Sequence, residues 1–144
     1  MPDDKKIRTE YAHYRLERAA EDLETAKANY KEGHYRAANN RAYYSIFHSI
    51  RAALALENFD SPKHGGVIGE FRKRFIKEGL IPIEVSKMIG SAFTIRNASD
   101  YDDMFIASKD ETAEQLSNAE YVYDVIKKYI ESQDVENEEG IKEE

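Results

Sequence analysis

The residues best suited to chemistry gather in the run Arg96-Asn97-Ala98-Ser99-Asp100-Tyr101. Arg96 falls on the same helical side as Val85, Ile89 and Phe93, among residues expected to be buried. A guanidinium on an apolar face needs an acceptor, because it stays charged at any ordinary pH. Two readings follow. In one, Arg96 pairs with Asp100 one turn on, although cation before anion is the weaker order along a helix. In the other, Arg96 faces a cleft and binds phosphate or another anion, with Asn97 and Asp100 beside it. Tyr101 is expected in a loop just after, where its phenol could hydrogen-bond the same anion.

A second set comes from Arg41 to Glu57, a run without Gly or Pro. At about 100° per residue it has three faces. Tyr43, Ile46, Phe47, Ile50 and Leu54 form a stripe of large apolar residues, and Ala42, Ser45, Ser49, Ala52 and Ala53 a face of small ones. Tyr44, His48 and Arg51 form an aromatic and polar strip, read either as a polar edge of the core or as the wall of a cleft. Two apolar faces predict the central helix of a bundle, with the small face admitting a neighbour closely.

Other candidate chemistry is thinner. His13, His34, His48 and His64 are scattered without metal-ligand spacing, so no metal site is expected. Gly65-Gly66 reads as a loosened helix start rather than a phosphate loop. Phe71-Arg-Lys-Arg-Phe75 interleaves aromatic and basic residues, as nucleic-acid surfaces do, but an amphipathic helix with a solvated basic face has the same pattern.

The elements that must position these residues follow from periodicity. Ala12, Leu16, Ala19, Leu23, Ala26 and Tyr30 step by four and three, which predicts a helix from about Ile7 to Lys31. Gly33 is its expected C-terminal cap, and the short link to the central helix predicts an antiparallel pair. Ser61-Pro62 reads as the N-cap and first position of a third helix that ends at Gly79 and buries Val67, Ile68, Phe71 and Phe75. A fourth helix is expected from about Pro82 to Asn97, burying Val85, Ile89, Ala92 and Phe93. From Ala98 to Ala107 the periodicity fails. Ser108 with Glu111 is a capping-box pattern, opening a fifth helix to about Ser132 with Leu116, Ala119, Tyr123, Ile126 and Ile130 inward. The fold class is therefore all-α, an up-and-down bundle of four long helices and one shorter one.

One domain suits 144 residues, here 1–131, followed by an acidic tail at 132–144. Seven acids against Lys142 after Ile130 account for a net −6 of the chain's −7, so the body stands near −1. Such a tail has little to bury and is expected to be disordered. Charge neither excludes nor strongly favours a phosphate-rich partner. The lack of cysteine excludes disulfides and thiolate metal sites. With no signal-peptide pattern and no membrane-length apolar run, the expected compartment is the cytoplasm.

Taken together, Arg41-Ala-Tyr-Tyr-Ser-Ile-Phe-His-Ser-Ile-Arg-Ala-Ala-Leu, Ser61-Pro-Lys-His-Gly-Gly-Val-Ile and Arg96-Asn-Ala-Ser-Asp-Tyr101 resemble the HEPN family, in its small stand-alone prokaryotic branch. The resemblance spans about Ile7 to Ile130. It implies a helical bundle that commonly forms a homodimer and needs no cofactor. Many such proteins are metal-independent ribonucleases with an R-x4–6-H motif meeting across the dimer cleft. Some are toxins neutralised by a minimal nucleotidyltransferase partner, and others are non-catalytic modules. Arg96 and Asn97 match the motif, but Tyr101, Asp102 and Asp103 stand where its His would fall. Imidazole moves protons near neutrality, whereas unperturbed Tyr and Asp titrate near about 10 and about 4. The leading expectation is thus a non-catalytic or weakly active protein that binds a nucleotide, RNA or a partner protein around Arg96. Tyr44, His48, Arg51 and His64 are further candidates for that cleft, and Tyr101 for catalysis or for modification by a nucleotidyltransferase. The alternative is a ribonuclease toxin with a degenerate motif.

Overall fold

The computed structural model describes the backbone of residues 2–143 and the side-chain surroundings of residues 4–134. Five helices follow one another: α1 (Pro2–Lys31), α2 (Tyr35–Ala55), α3 (His64–Phe71), α4 (Ile83–Tyr101) and α5 (Lys109–Glu143). No strand occurs among the described residues. A wider π-helical turn, Arg72–Ile76, prolongs α3, with the Lys77 amide donating to the Arg72 carbonyl at 2.9 Å.

The central helix is α2, which packs against each of the other four. Its large stripe and its small face are both buried, as the three-faced pattern requires. The small face meets α1. There Ser45 Oγ donates to the Ala19 carbonyl at 2.8 Å, a contact that only small side chains permit. Each fully buried Leu, Ile or Phe of the large stripe contributes about 1.5–3 kcal/mol. Ala12, Leu16, Ala19, Leu23 and Ala26 of α1 are all buried, so the four-three stepping marks a true packing seam.

Cross-helix contacts set the directions. Arg41 reaches Asp22 and Ser45 reaches Ala19, so α1 and α2 run antiparallel. Asn40 reaches Asp100 and Arg96 reaches Tyr44, which makes α2 and α4 antiparallel. His13 reaches Asp134 and Lys27 reaches Glu120, which does the same for α1 and α5. Gly33 closes α1 in the left-handed region at φ 83°, with the His34 amide donating back to the Asn29 carbonyl.

Several boundaries differ from the periodicity. The third helix starts at His64, after an extended Lys63, not at Ser61-Pro62. Ser61 Oγ instead accepts from the Lys63 amide at 3.2 Å, a local turn that competes with capping. A Cβ on Gly66 would meet Ser61 Oγ at 2.9 Å, so this glycine serves a close approach. The fourth helix continues through Tyr101, and that residue is helical rather than in a loop. The extension is held by Arg36 of α2. Its guanidinium donates to the Ser99, Asp102 and Phe105 carbonyls at 2.7, 3.1 and 2.6 Å, satisfying acceptors where a helix ends. Phe93 is exposed, not buried with Val85, Ile89 and Ala92. On α5 the fully buried face is Thr112, Gln115, Ala119, Val122, Ile126 and Ile130, with Leu116 and Tyr123 only partly covered. The Ser108 cap is present, accepting from the Glu111 amide at 3.1 Å. The helix passes Ser132, and the Asp134 carboxylate lies 2.7 Å from His13 Nε2. The rest of the acidic tail, 135–144, lies outside the described side chains.

Candidate anion site around Arg96

Helix α4 brings Arg96 against α2, where it makes the pair with Asp100 that the first sequence reading expects. Its Nε stands 3.0 Å from Asp100 Oδ2, an ion pair without in-line hydrogen-bond geometry. Its terminal nitrogens donate to Asn97 Oδ1 at 3.3 Å and to the Tyr44 hydroxyl at 3.1 Å. Asp100 is held from its other side by Asn40 Nδ2 at 3.0 Å. A guanidinium has five N–H groups in a planar fork. These contacts leave one donor on each terminal nitrogen without a partner among the described residues. Aromatic faces surround the cation. Its central carbon lies 5.3 Å from the Tyr43 ring centre, 5.6 Å from Tyr44 and 5.5 Å from Tyr101. Such faces attract a guanidinium electrostatically and help fix its plane.

His64 joins the same cluster from the first position of α3. Its Nδ1 lies 2.9 Å from the Tyr43 hydroxyl, and its ring sits 4.1 Å from Phe47 and edge-on to Tyr44 at 6.0 Å. Burial, then the charges of Arg96 and Arg51, hold its pKa below the ordinary histidine value. Burial pushes the Tyr43 phenol up to about 12, against the pull of Arg96, so it stays protonated.

The other two members of the α2 strip turn elsewhere. His48 is largely buried 3.6 Å from Asp22 Oδ2, and Asp22 is paired with Arg41 at 3.1 Å. Burial, then the charges of Arg18, Arg51, Arg15 and Arg41, lower the His48 pKa to about 4. Arg51 grips Asp60 with two nitrogens, at 2.9 and 3.3 Å, and Arg15 shares the same carboxylate at 3.2 Å. Burial raises the Asp60 carboxyl, but the Arg51 hydrogen bond, the Ser61 amide and both arginine charges outweigh it and hold it low. The structure therefore gathers Arg96, Asn97, Asp100, Tyr101, Tyr44 and His64 in one site. It places His48 and Arg51 in a second, arginine-rich cluster facing α1. Phe47, under the Arg51 guanidinium at 5.7 Å and against His64, lies between the two.

Tyr43 and Asn40 are site residues that sequence reasoning missed. Tyr43 lies on the large apolar stripe, and nothing in its spacing reveals that its hydroxyl emerges beside His64. The Phe71-to-Phe75 surface is weaker than its composition implies. Arg72 is bound to Ser86, and Arg74 is paired with Glu70 and Glu57. Among the described residues, no group of three or more His, Asp or Glu is arranged to hold a metal ion, and no helix is long and apolar enough to cross a membrane.

The all-helical bundle of five helices agrees with the sequence relationships. The HEPN domain family matches residues 12–129, and the chain belongs to that family. Among its relatives, "Putative toxin MJ0142" of Methanocaldococcus jannaschii is 31% identical over 120 residues, covering 83% of this chain and 82% of the relative. "Putative toxin MJ0605" of the same organism is 36% identical over 115 residues, 80% of this chain and 85% of the relative. A Thermotoga maritima protein named "UPF0332 protein" is 31% identical over 118 residues, 82% of this chain and 89% of the relative.

Proposed function

We propose that this chain binds RNA through the phosphate groups of its backbone at the Arg96 cleft, as the toxin-type member of a toxin–antitoxin pair. The observation that carries this reading is the Arg96 guanidinium. Asp100 and Tyr44 fix it, aromatic rings flank it, and one N–H on each terminal nitrogen has no protein partner among the described residues. A fixed fork loses little freedom on meeting a phosphate, and the rings beside it offer surfaces on which unpaired bases stack. Relatives named as toxins support the biological setting.

The test is direct binding. Fluorescence anisotropy of a labelled single-stranded RNA should show saturable binding that weakens about ten- to a hundredfold in Arg96→Ala, the worth of one charge-assisted contact. Binding equal in wild type and variant would refute the site. A partner nucleotidyltransferase acting on Tyr101 is a second reading, favoured by one observation. The Tyr101 side chain is 73% exposed beside Arg96, so its hydroxyl is within reach of another protein's active site. Incubation with such an enzyme and a nucleoside triphosphate should add mass to wild type and none to Tyr101→Phe.

A further inference from the structure

We propose that the face between α1 and α2 carries a second phosphate-binding site, gripped by Arg15 and Arg51 and separate from the Arg96 cleft. It depends neither on Arg96 nor on RNA binding there.

Positive charge is concentrated on this face. Arg15 and Arg18 of α1 and Arg41 and Arg51 of α2 all lie close enough to His48 to add to the effect of burial in lowering its pKa. Three carboxylates answer these four cations. Asp22 pairs with Arg41 at 3.1 Å, Asp60 is shared by Arg15 and Arg51, and Glu21 stands exposed near Arg18 and Asp22. The body of the chain stands near −1, so the surplus of positive charge is local. Its centre is the Arg15–Arg51 pair, two guanidinium groups on one carboxylate. Burial, and then the Arg51 charge, lower the Arg15 pKa against the pull of Asp60. Asp60 therefore compensates the two cations incompletely, and a further anion against them restores the balance.

Donors for that anion are in place. Each guanidinium has five N–H groups. Arg15 gives Asp60 one bond, from Nη2 at 3.2 Å, and Arg51 gives it two, from Nη2 at 2.9 Å and Nε at 3.3 Å. Nη1 of both side chains and Nε of Arg15 have no partner among the described residues, and none of the three is sealed from solvent. The Arg15 side chain is only 18% exposed, so packing fixes its orientation. Beside it opens a cleft of about 590 Å³, walled by Ile7, Arg8, Tyr11 and Phe59. Asp4 and Asp60 also line this cleft and offset Arg8 and Arg15 there. The anion therefore belongs at the Arg51 end, where the surplus lies, and the rest of the cleft takes the group that bears it. A phosphate suits this end better than a second carboxylate. It has three outer oxygens for two separate forks and up to two charges, whereas one carboxylate is matched by a single fork.

The experiment uses the full chain carrying Arg96→Ala, which removes the first site, and inorganic pyrophosphate as the probe. Isothermal titration calorimetry should show saturable binding. Adding Arg15→Gln should weaken it at least about tenfold, the loss of one charge-assisted contact. Arg51 still holds Asp60 in that variant. Lys27→Gln, on the same helix but paired with Glu24 and Glu120, should leave binding unchanged. His48 supplies a readout that a purely structural role of Arg15 would not move. Bound pyrophosphate offsets the arginine charges around the imidazole, so the NMR titration midpoint of the ring should rise. Pyrophosphate binding that vanishes in Arg96→Ala, or that Arg15→Gln leaves unaltered, overturns the proposal. If Arg15→Gln does not fold, the His48 ring of Arg96→Ala decides, because a midpoint unmoved by excess pyrophosphate also overturns it. Competition by single-stranded RNA in Arg96→Ala identifies the natural ligand as an RNA backbone, and its absence identifies a free phosphate compound. Both of these results uphold the site.

Discussion

Arg96 holds part of the fold through Asp100 and Tyr44, and the proposed function gives it a second role as an anion contact. Its carboxylate partner, Asp100, keeps a second bond from Asn40 and some contact with water. Arg96→Ala should therefore cost only about 1–2 kcal/mol of stability and leave the chain folded, while RNA affinity falls about ten- to a hundredfold. A loss of about 3–5 kcal/mol in a urea melt would mark an internal ion pair instead. His48 makes a separate prediction. Its folded pKa of about 4 lies below the ordinary 6.5, so between those values the unfolded chain binds more protons than the folded one. Stability should then rise with pH across that window and level off above it. The size is on the order of 1–2 kcal/mol, since part of the ring still meets solvent. His64 acts with the same sign. Asp22, its carboxyl raised by burial, opposes both toward the acid end. Urea melts at pH 5 and 7.5 should show the difference, and His48→Gln should shrink it. Equal stability at the two pH values would contradict the burial of a neutral imidazole.

At the scale of elements, the end of α4 depends on Arg36. Three carbonyls converge on one guanidinium, and two lie in the turn that carries the chain toward α5. Arg36→Ala leaves them to solvent and should cost about 1.5–3 kcal/mol. Limited proteolysis should then cut first between Asp102 and Ala107, before any other part of the chain opens. The α1–α2 seam makes the opposite kind of prediction. Ser45 is fully buried with its hydroxyl against the α1 backbone, so Ser45→Leu has no room and also removes the bond to Ala19. A loss of at least about 2–3 kcal/mol is expected in thermal or urea melts.

At the scale of the whole molecule, the open questions are assembly and the tail. Two copies of a cleft carrying Arg96 and Tyr101 would enclose RNA more completely than one. Static light scattering at micromolar concentration should give twice the 16.6 kDa of the chain. A particle of 16.6 kDa alone would refute pairing. Deleting residues 135–144 should move the thermal midpoint by no more than a few degrees, because the deleted acids repel one another and offer little to bury. The cut falls after Asp134, which keeps its contact with His13.

Side-chain pattern alone determined the number of helices, the central place of α2, its two buried faces and the seam of α1. Those properties depend on periodicity and size, which are local. Helix ends were less legible. Tyr101 is helical because Arg36, some sixty residues earlier, supplies the acceptors' partner, and the third helix begins late because Ser61 bonds to the nearby chain. The site divides in the same way. Arg96 stood out in the sequence, since a charge on an apolar face must be satisfied. Only the tertiary structure decided that His64 joins it while His48 does not. Both imidazoles pack near Tyr44 and Phe47, but His64 bonds to the Tyr43 hydroxyl whereas His48 turns to Asp22 of α1, partners on other helices that no spacing within one helix encodes.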